Sequence, residues 1–265
     1  MVKDFEHKNY WALILGGSSG LGLASAQKLA AHGMNICIVH RDRKSELDLI
    51  EKEFESIKAQ NVEFLSFNVD ALNPEKREQI VISLKEKLGQ KGKVRTLVHS
   101  IAKGNLKPMF SNEKPVLKND DFHLTIEAMA ISLYDWTQLL LENKLFAADA
   151  RIISFTSEGN TKAWKNYAAV SAAKAALEAI TRNLALEFAP FGIRANCIQA
   201  GVTDTTSFQM IPGSEQLAEF SKMRNPFKRL TKPEDVANVV YLLSKDEAGW
   251  INGSIIPVNG GEHIV

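Results

Sequence analysis

Only two cysteines, Cys37 and Cys197, occur in 265 residues. Both sit inside apolar runs, which excludes a disulfide-stapled scaffold and points to buried thiols in a reducing compartment. No apolar run approaches the roughly 20 residues that a membrane span needs. The charged opening, Met1 to Lys8, lacks the apolar stretch of a secretory signal. An excess of one charge is missing too: the net charge is +1, with 24% charged residues. That balance creates no broad field for gripping nucleic acid. The six histidines (His7, His32, His40, His99, His123 and His263) have no metal-ligand spacing, so no metal site is expected. No proline-rich or low-complexity linker divides the chain. These absences leave a soluble, cytoplasmic protein of one domain, 1–265, with no membrane or nucleic-acid partner, as the expectation.

What is present is rhythm. Short apolar runs, Trp11–Leu15, Asn35–Val39, Val62–Phe67, Arg95–His99, Arg151–Phe155, Arg194–Ile198 and Ser254–Val258, read as strands. Helical patterns begin between them near Gly20, Lys44, Pro74, Asp121, Asn166 and Pro233. The strands are nearly continuous in Val, Ile and Leu, as expected when helices cover both faces. Such alternation predicts an α/β fold, a doubly wound parallel sheet of about seven strands. Two segments interrupt it. Residues 103–119 carry Gly, Asn and two prolines, and residues 203–230 mix Phe208, Met210, Ile211, Phe220, Met223 and Phe227 with Pro212-Gly213 and Pro226. Both should emerge at the carboxyl ends of strands, where such sheets bind ligands. The longer one is expected to form a helical substrate lid.

After the first strand comes Gly16-Gly-Ser18-Ser19-Gly20-Leu21-Gly22. Glycines allow a tight turn and close approach of backbone to phosphate, and a helix N-terminus offers free N–H groups. This turn predicts a Rossmann-like dinucleotide site. The second predicted strand ends His40-Arg41-Asp42-Arg43. An acidic residue there accepts from a ribose 2′-hydroxyl, whereas arginine accommodates a 2′-phosphate, so Arg41 and Arg43 favour NADP(H), with NAD(H) possible through Asp42. Tyr167 and Lys174 then lie seven positions apart at the start of a helical pattern. On a helix of 3.6 residues per turn they share nearly one face.

These pieces resemble the short-chain dehydrogenase/reductase family over essentially the whole chain. Gly16, Gly20 and Gly22 fit its glycine motif, although Leu15 stands where threonine is usual. Asn68-Val69 resembles its adenine-contact pair, with Asn where Asp is commoner. Ala200-Gly201-Val202-Thr203-Asp204-Thr205 resembles the stretch that meets the nicotinamide amide and phosphates, and Asn252 to Gly261 its last strand. Two departures narrow the branch. Most members place tyrosine four residues before the lysine, but here that position is Val170. Most read Asn-Asn-Ala-Gly after the fourth strand, where this chain reads His99-Ser100-Ile101-Ala102. Both features look like the enoyl-acyl-carrier-protein reductases. That branch often has a further tyrosine where this chain has Ser157, and with the glycine turn this resembles its NADPH-using variety.

The resemblance implies catalytic Tyr167, Lys174 and Ser157 or Thr156. It implies cofactor contacts from Gly16, Ser18, Ser19, Gly20, Leu21, Gly22, Arg41, Asn68, Val69, Ser100, Ile101, Ala102, Lys174, Gly201, Val202, Thr203 and Thr205. Tyr167 would hold the substrate carbonyl, and Lys174 would hold the nicotinamide ribose while its charge favours phenolate character in Tyr167. The spacing suits the chemistry. Hydride delivered to Cβ of an enoyl thioester leaves charge on an oxygen two carbons away, and three more helical residues move the phenol by about 4.5 Å. The substrate would be an enoyl thioester on acyl-carrier protein or CoA, as in fatty-acid synthesis. Alternatives are 3-oxoacyl or other ketone reduction, or a non-catalytic cofactor sensor. Against ketone chemistry, Ala128-Met-Ala-Ile-Ser132 replaces the family's catalytic asparagine. Lys222, Arg224, Lys228, Arg229 and Lys232 offer an acidic carrier a docking cluster, with solvated charges as the plainer reading. Surplus apolar residues on the helical patterns over 121–146 and 166–189 mark an interface, and since family members usually pair these helices in dimers and tetramers, the resemblance implies a homotetramer. His99 is expected to pack rather than react.

Overall fold

The computed structural model describes residues 2–265. Its strands are β1 (Tyr10–Leu15), β2 (Asn35–His40), β3 (Phe64–Asn68), β4 (Lys93–His99), β5 (Phe146–Thr156), β6 (Ile193–Ala200) and β7 (Ile255–Val258). They form one parallel sheet in the order β3-β2-β1-β4-β5-β6-β7. The helices are α1 (Gly20–Ala31), α2 (Leu47–Lys58), α3 (Pro74–Leu88), α4 (Asn119–Ile126), α5 (Ser132–Glu142), α6 (Ala168–Glu187), α7 (Thr206–Gln209), α8 (Ser214–Arg224) and α9 (Pro233–Ser244). A π-helical turn, Glu127–Ile131, joins α4 to α5.

Strand alternation builds two cores. Ala12, Ile14, Ile36, Ile38 and Val98 pack with residues of α1, α2 and α9 on one face. Leu13, Leu15, Cys37, Val39 and Leu97 pack with residues of α3, α5 and α6 on the other. Successive side chains of a strand point to opposite faces, so a strand sandwiched between helix layers must be apolar throughout. Each fully buried Leu or Ile contributes roughly 1.5–3 kcal/mol. That is why the sheet was readable as short continuous runs.

Helix starts follow local chemistry. The Asn73 side chain accepts from Lys76 N at 3.0 Å and Pro74 occupies the first turn of α3. The pattern expected from Asn166 begins two residues later, because Asn166 has φ 63° and Tyr167 is the N-cap of α6. The fifth strand starts at Phe146 rather than Arg151, since Val94 of β4 already pairs with Phe146.

The order reverses between β1 and β4, so loops leaving these strands diverge and open a crevice at their carboxyl ends. Residues 203–230 carry α7 and α8, and Thr203, Thr205, Phe208 and Ile211 of this insert line the crevice. A single bridge between Thr203 and Thr231, with Thr231 N donating to Val202 O at 3.0 Å, closes the base of this insert. The amino ends of the strands are sealed instead. Arg95, Arg151 and Arg194, from β4, β5 and β6, all donate to the Asp149 carboxylate. Arg95 and Arg151 also donate to the carbonyls of Leu243, Ser244 and Lys245 at the end of α9. Among the described residues no helix is long and apolar enough to cross a membrane, and no metal-holding cluster is found.

Candidate active site

A cavity of about 440 Å³ occupies the crevice. The turn after β1 forms one end. Gly16 adopts φ 81°, and a Cβ there would lie 2.6 Å from Ser100 O. At Gly22 a Cβ would meet Gly16 O at 2.1 Å. Neither position admits a side chain, so the turn stays tight and its backbone stays bare. Ser18, Ser19, Gly20 and Leu21 line the cavity, and Ser19 makes no side-chain cap to α1. The first N–H groups of α1 therefore face the cavity without a side-chain cap, which fits a pyrophosphate.

Arg41 lines the neighbouring wall and reaches Asp70 at 2.7 Å. Asp42 does not line the cavity; its carboxylate is 2.7 Å from His40 Nδ1. Arg43 lies outside the cavity too and begins the turn before α2. Val69 lines the site, but Asn68 does not. The Asn68 amide is spent on the Asp42 backbone, accepting from its N–H at 2.9 Å and donating to its carbonyl at 3.1 Å. Its side chain thus braces the β2 loop. Ser100, Ile101, Ala102, Gly201, Val202, Thr203 and Thr205 all line the cavity, whereas Gly22 lies behind the turn.

At the other end stand Tyr167, Ser157 and Lys174. Lys174 is buried, donates to Phe155 O at 2.6 Å, and has its pKa lowered to about 8 by burial. Burial pushes the Tyr167 phenol above its usual pKa, and the adjoining Ser157 hydroxyl pulls the other way. Burial is the larger influence on the phenol, and the Lys174 amine is turned to the Phe155 carbonyl. Because Tyr167 caps α6 instead of lying within it, the axial offset from Lys174 is not a pure helical rise.

Thr156 and Ser157 are distinguished by their partners. The Thr156 hydroxyl donates to Glu178 at 2.6 Å, whereas Ser157 Oγ is buried without a well-formed hydrogen bond among the described residues. His99 lines the cavity and is buried, 2.8 Å from Ser132 Oγ, and burial drives its pKa to about 3. Leu106, Met129, Trp164, Val170, Phe208 and Ile211 make the surrounding wall apolar. The Trp164 ring sits 5.2 Å from that of Tyr167.

Several cavity residues escaped sequence reasoning, Trp164, Glu158 and Glu262 among them. Trp164 lies in an irregular stretch, and Glu158 and Glu262 are 104 positions apart with no motif between them. The basic cluster near the lid is largely paired: Lys222 with Glu219, Arg224 with Glu158 and Glu262, and Arg229 with Asp235.

A family model described as enoyl-(acyl carrier protein) reductase matches residues 16–263. The chain belongs to the short-chain dehydrogenase/reductase family. It is 30% identical to a 3-oxoacyl-(acyl-carrier-protein) reductase of Staphylococcus epidermidis, covering 97% of this chain and all of that one. Among solved structures, an NADH enoyl-(acyl-carrier-protein) reductase of Aquifex aeolicus superposes with TM-score 0.84 at 26% identity, covering 98% of each chain. A short-chain dehydrogenase of Burkholderia cenocepacia, solved with NADP, gives 0.81 at 26%, covering 97% of this chain and 98% of that one. The protein is an NAD(P)H-dependent oxidoreductase of this family.

Proposed function

We propose that this protein uses NADPH to reduce the α,β double bond of an enoyl thioester carried on acyl-carrier protein or CoA. The carrying observation is that, among the described residues, the only phenol lining the cavity is Tyr167, seven positions before Lys174, while Val170 fills the position four before it. NADPH is favoured because Arg41 lines the wall and the competing Asp42 carboxylate is turned to His40.

A nicotinamide held beside Lys174 and Tyr167 would supply the hydride for Cβ. The chain's own residues then handle the developing charge. Tyr167, kept protonated by burial, donates to the thioester oxygen, stabilises the enolate and passes its proton on. Ser157 orients that phenol or the same oxygen. Lys174 holds the ribose hydroxyls once it leaves Phe155 O. The apolar wall from Leu106 to Ile211 excludes water and takes the acyl chain. The insert over 203–230 acts as the lid.

Reduction of a 3-oxoacyl thioester is the second reading, favoured by the 30% identity to the staphylococcal enzyme. Stopped-flow NADPH oxidation with crotonyl-CoA and acetoacetyl-CoA decides between them. Faster turnover of crotonyl-CoA is expected. Turnover of acetoacetyl-CoA alone would move the protein to the second reading, and tight NADPH binding with neither substrate turned over would make it a sensor.

Exposed Leu124, Ile131 and Tyr134 on the α4–α5 face, with Leu186 near the end of α6, support self-association as a homotetramer. The two free buried thiols, Cys37 and Cys197, support a cytoplasmic location.

A further inference from the structure

Helix α8 is poorly held by apolar contact. Phe220 and Met223 are exposed, and Ser221 is its only buried residue. Arg224, at its last position, is held differently. One nitrogen, Nη2, donates to Glu158 Oε2 at 2.6 Å and to Glu262 Oε1 at 2.7 Å. The Glu158 and Glu262 side chains are 8% and 3% exposed and that of Arg224 is 12% exposed. Lys162 Nζ, 3.3 Å from Glu158, supplies the second positive charge, so two carboxylates face two cations. Glu158 directly follows Ser157, and Glu262 opens the last turn of the chain, Glu262–Ile264. Both carboxylate residues line the substrate end of the cavity. The next residue, Asn225, adds one tether, from its amide to Asn259 O at 2.9 Å.

We propose that Arg224 is a positioning residue: its guanidinium clamps the lid helix α8 onto the segment that carries Ser157 and onto the C-terminal turn, setting the shape of the substrate half of the cavity. This rests on the reading of the Ser157–Tyr167 end as the substrate site. An isolated buried carboxylate is costly, so removing the arginine alone forces Glu158 and Glu262 apart or toward water, and α8 loses its main anchor. The cofactor half, built on β1, α1, β2 and the first residues of the insert, Thr203 to Thr205, shares no hydrogen bond with Arg224.

Three variants separate a clamp from mere charge compensation: Arg224→Met, Arg224→Lys, and Arg224→Met combined with Glu158→Gln and Glu262→Gln. For Arg224→Met, KM for crotonyl-CoA is expected to rise about tenfold with kcat changed less than about threefold, and trypsin cleavage after Lys222 or Lys228 to accelerate by about tenfold. The NADPH Kd should stay within about twofold. Arg224→Lys should recover most of both effects, since one nitrogen spans both carboxylates. The neutral triple variant should remain open. Normal proteolysis and KM in Arg224→Met, or in the triple variant, would overturn the clamp. So would a parallel loss of NADPH affinity. Should crotonyl-CoA prove inert with the unmodified protein, the enoyl reading fails, while proteolysis and NADPH titration still decide the clamp.

Discussion

The two ends of one sheet treat polar groups in opposite ways. At the amino ends, three arginines and Asp149 satisfy one another and the last carbonyls of α9, and Arg95 and Arg151 are fully buried without an unpartnered nitrogen among the described residues. At the carboxyl ends, Ser157 Oγ, Asn160 Oδ1, Arg224 Nε and Glu262 Oε2 are buried without a well-formed hydrogen bond among the described residues. Buried polar groups are ordinarily paired, because desolvating them unpaired costs about 1–3 kcal/mol each. The closed end therefore serves stability, and the open end tolerates a deficit that chemistry can use.

Substitutions at the two ends should separate activity from stability. The largest effect belongs to Tyr167→Phe, which is expected to cut kcat on crotonyl-CoA roughly 10²–10⁴-fold, the usual share of a proton donor. Its melting temperature should barely move; full activity in this variant would remove the phenol from the mechanism. Asp149→Asn should do the reverse. It leaves buried Arg151 without a carboxylate and Arg95 with Asp246 alone, and is expected to cost about 3 kcal/mol. Calorimetry should record a fall of roughly 6–12 °C with kcat retained. Burial alone would raise the Asp149 pKa, but hydrogen bonds from Arg151 and Arg95 outweigh it and hold the carboxyl at about 2. Its contribution is thus complete above the ordinary carboxylate range and is lost as pH falls through about 2. The asparagine variant should show a flatter acid limb, and an unchanged limb would contradict this account. Smallest is Arg41→Ala, expected to weaken NADPH about tenfold while leaving NADH alone, as fluorescence titration can measure. Equal weakening of both cofactors would assign Arg41 to general charge rather than the 2′-phosphate.

Legibility also differed between the ends. All seven strands were visible, because a strand buried on both faces writes its apolar character without interruption. The glycine turn was visible as well, because its backbone demands act over a few adjacent residues. What stayed hidden depends on distant chain segments meeting. Nothing around Glu262 announces its partnership with Glu158, and Arg224 reads as one more surface charge. Asn68 illustrates the converse: a local pattern suggested ligand contact, yet the folded chain uses that amide to brace the Asp42 backbone. The burial of Tyr167, which pushes its phenol pKa upward, was likewise not legible, since a local pattern gives no measure of desolvation.

The bridge between Thr203 and Thr231 has a consequence for descent. Because the two feet of the insert are stitched together on the sheet, whatever hangs between them can lengthen, shorten or be rewritten at little entropic cost to the scaffold. Lineages sharing this framework can exchange that module and acquire new appetites without rebuilding the machinery beneath it.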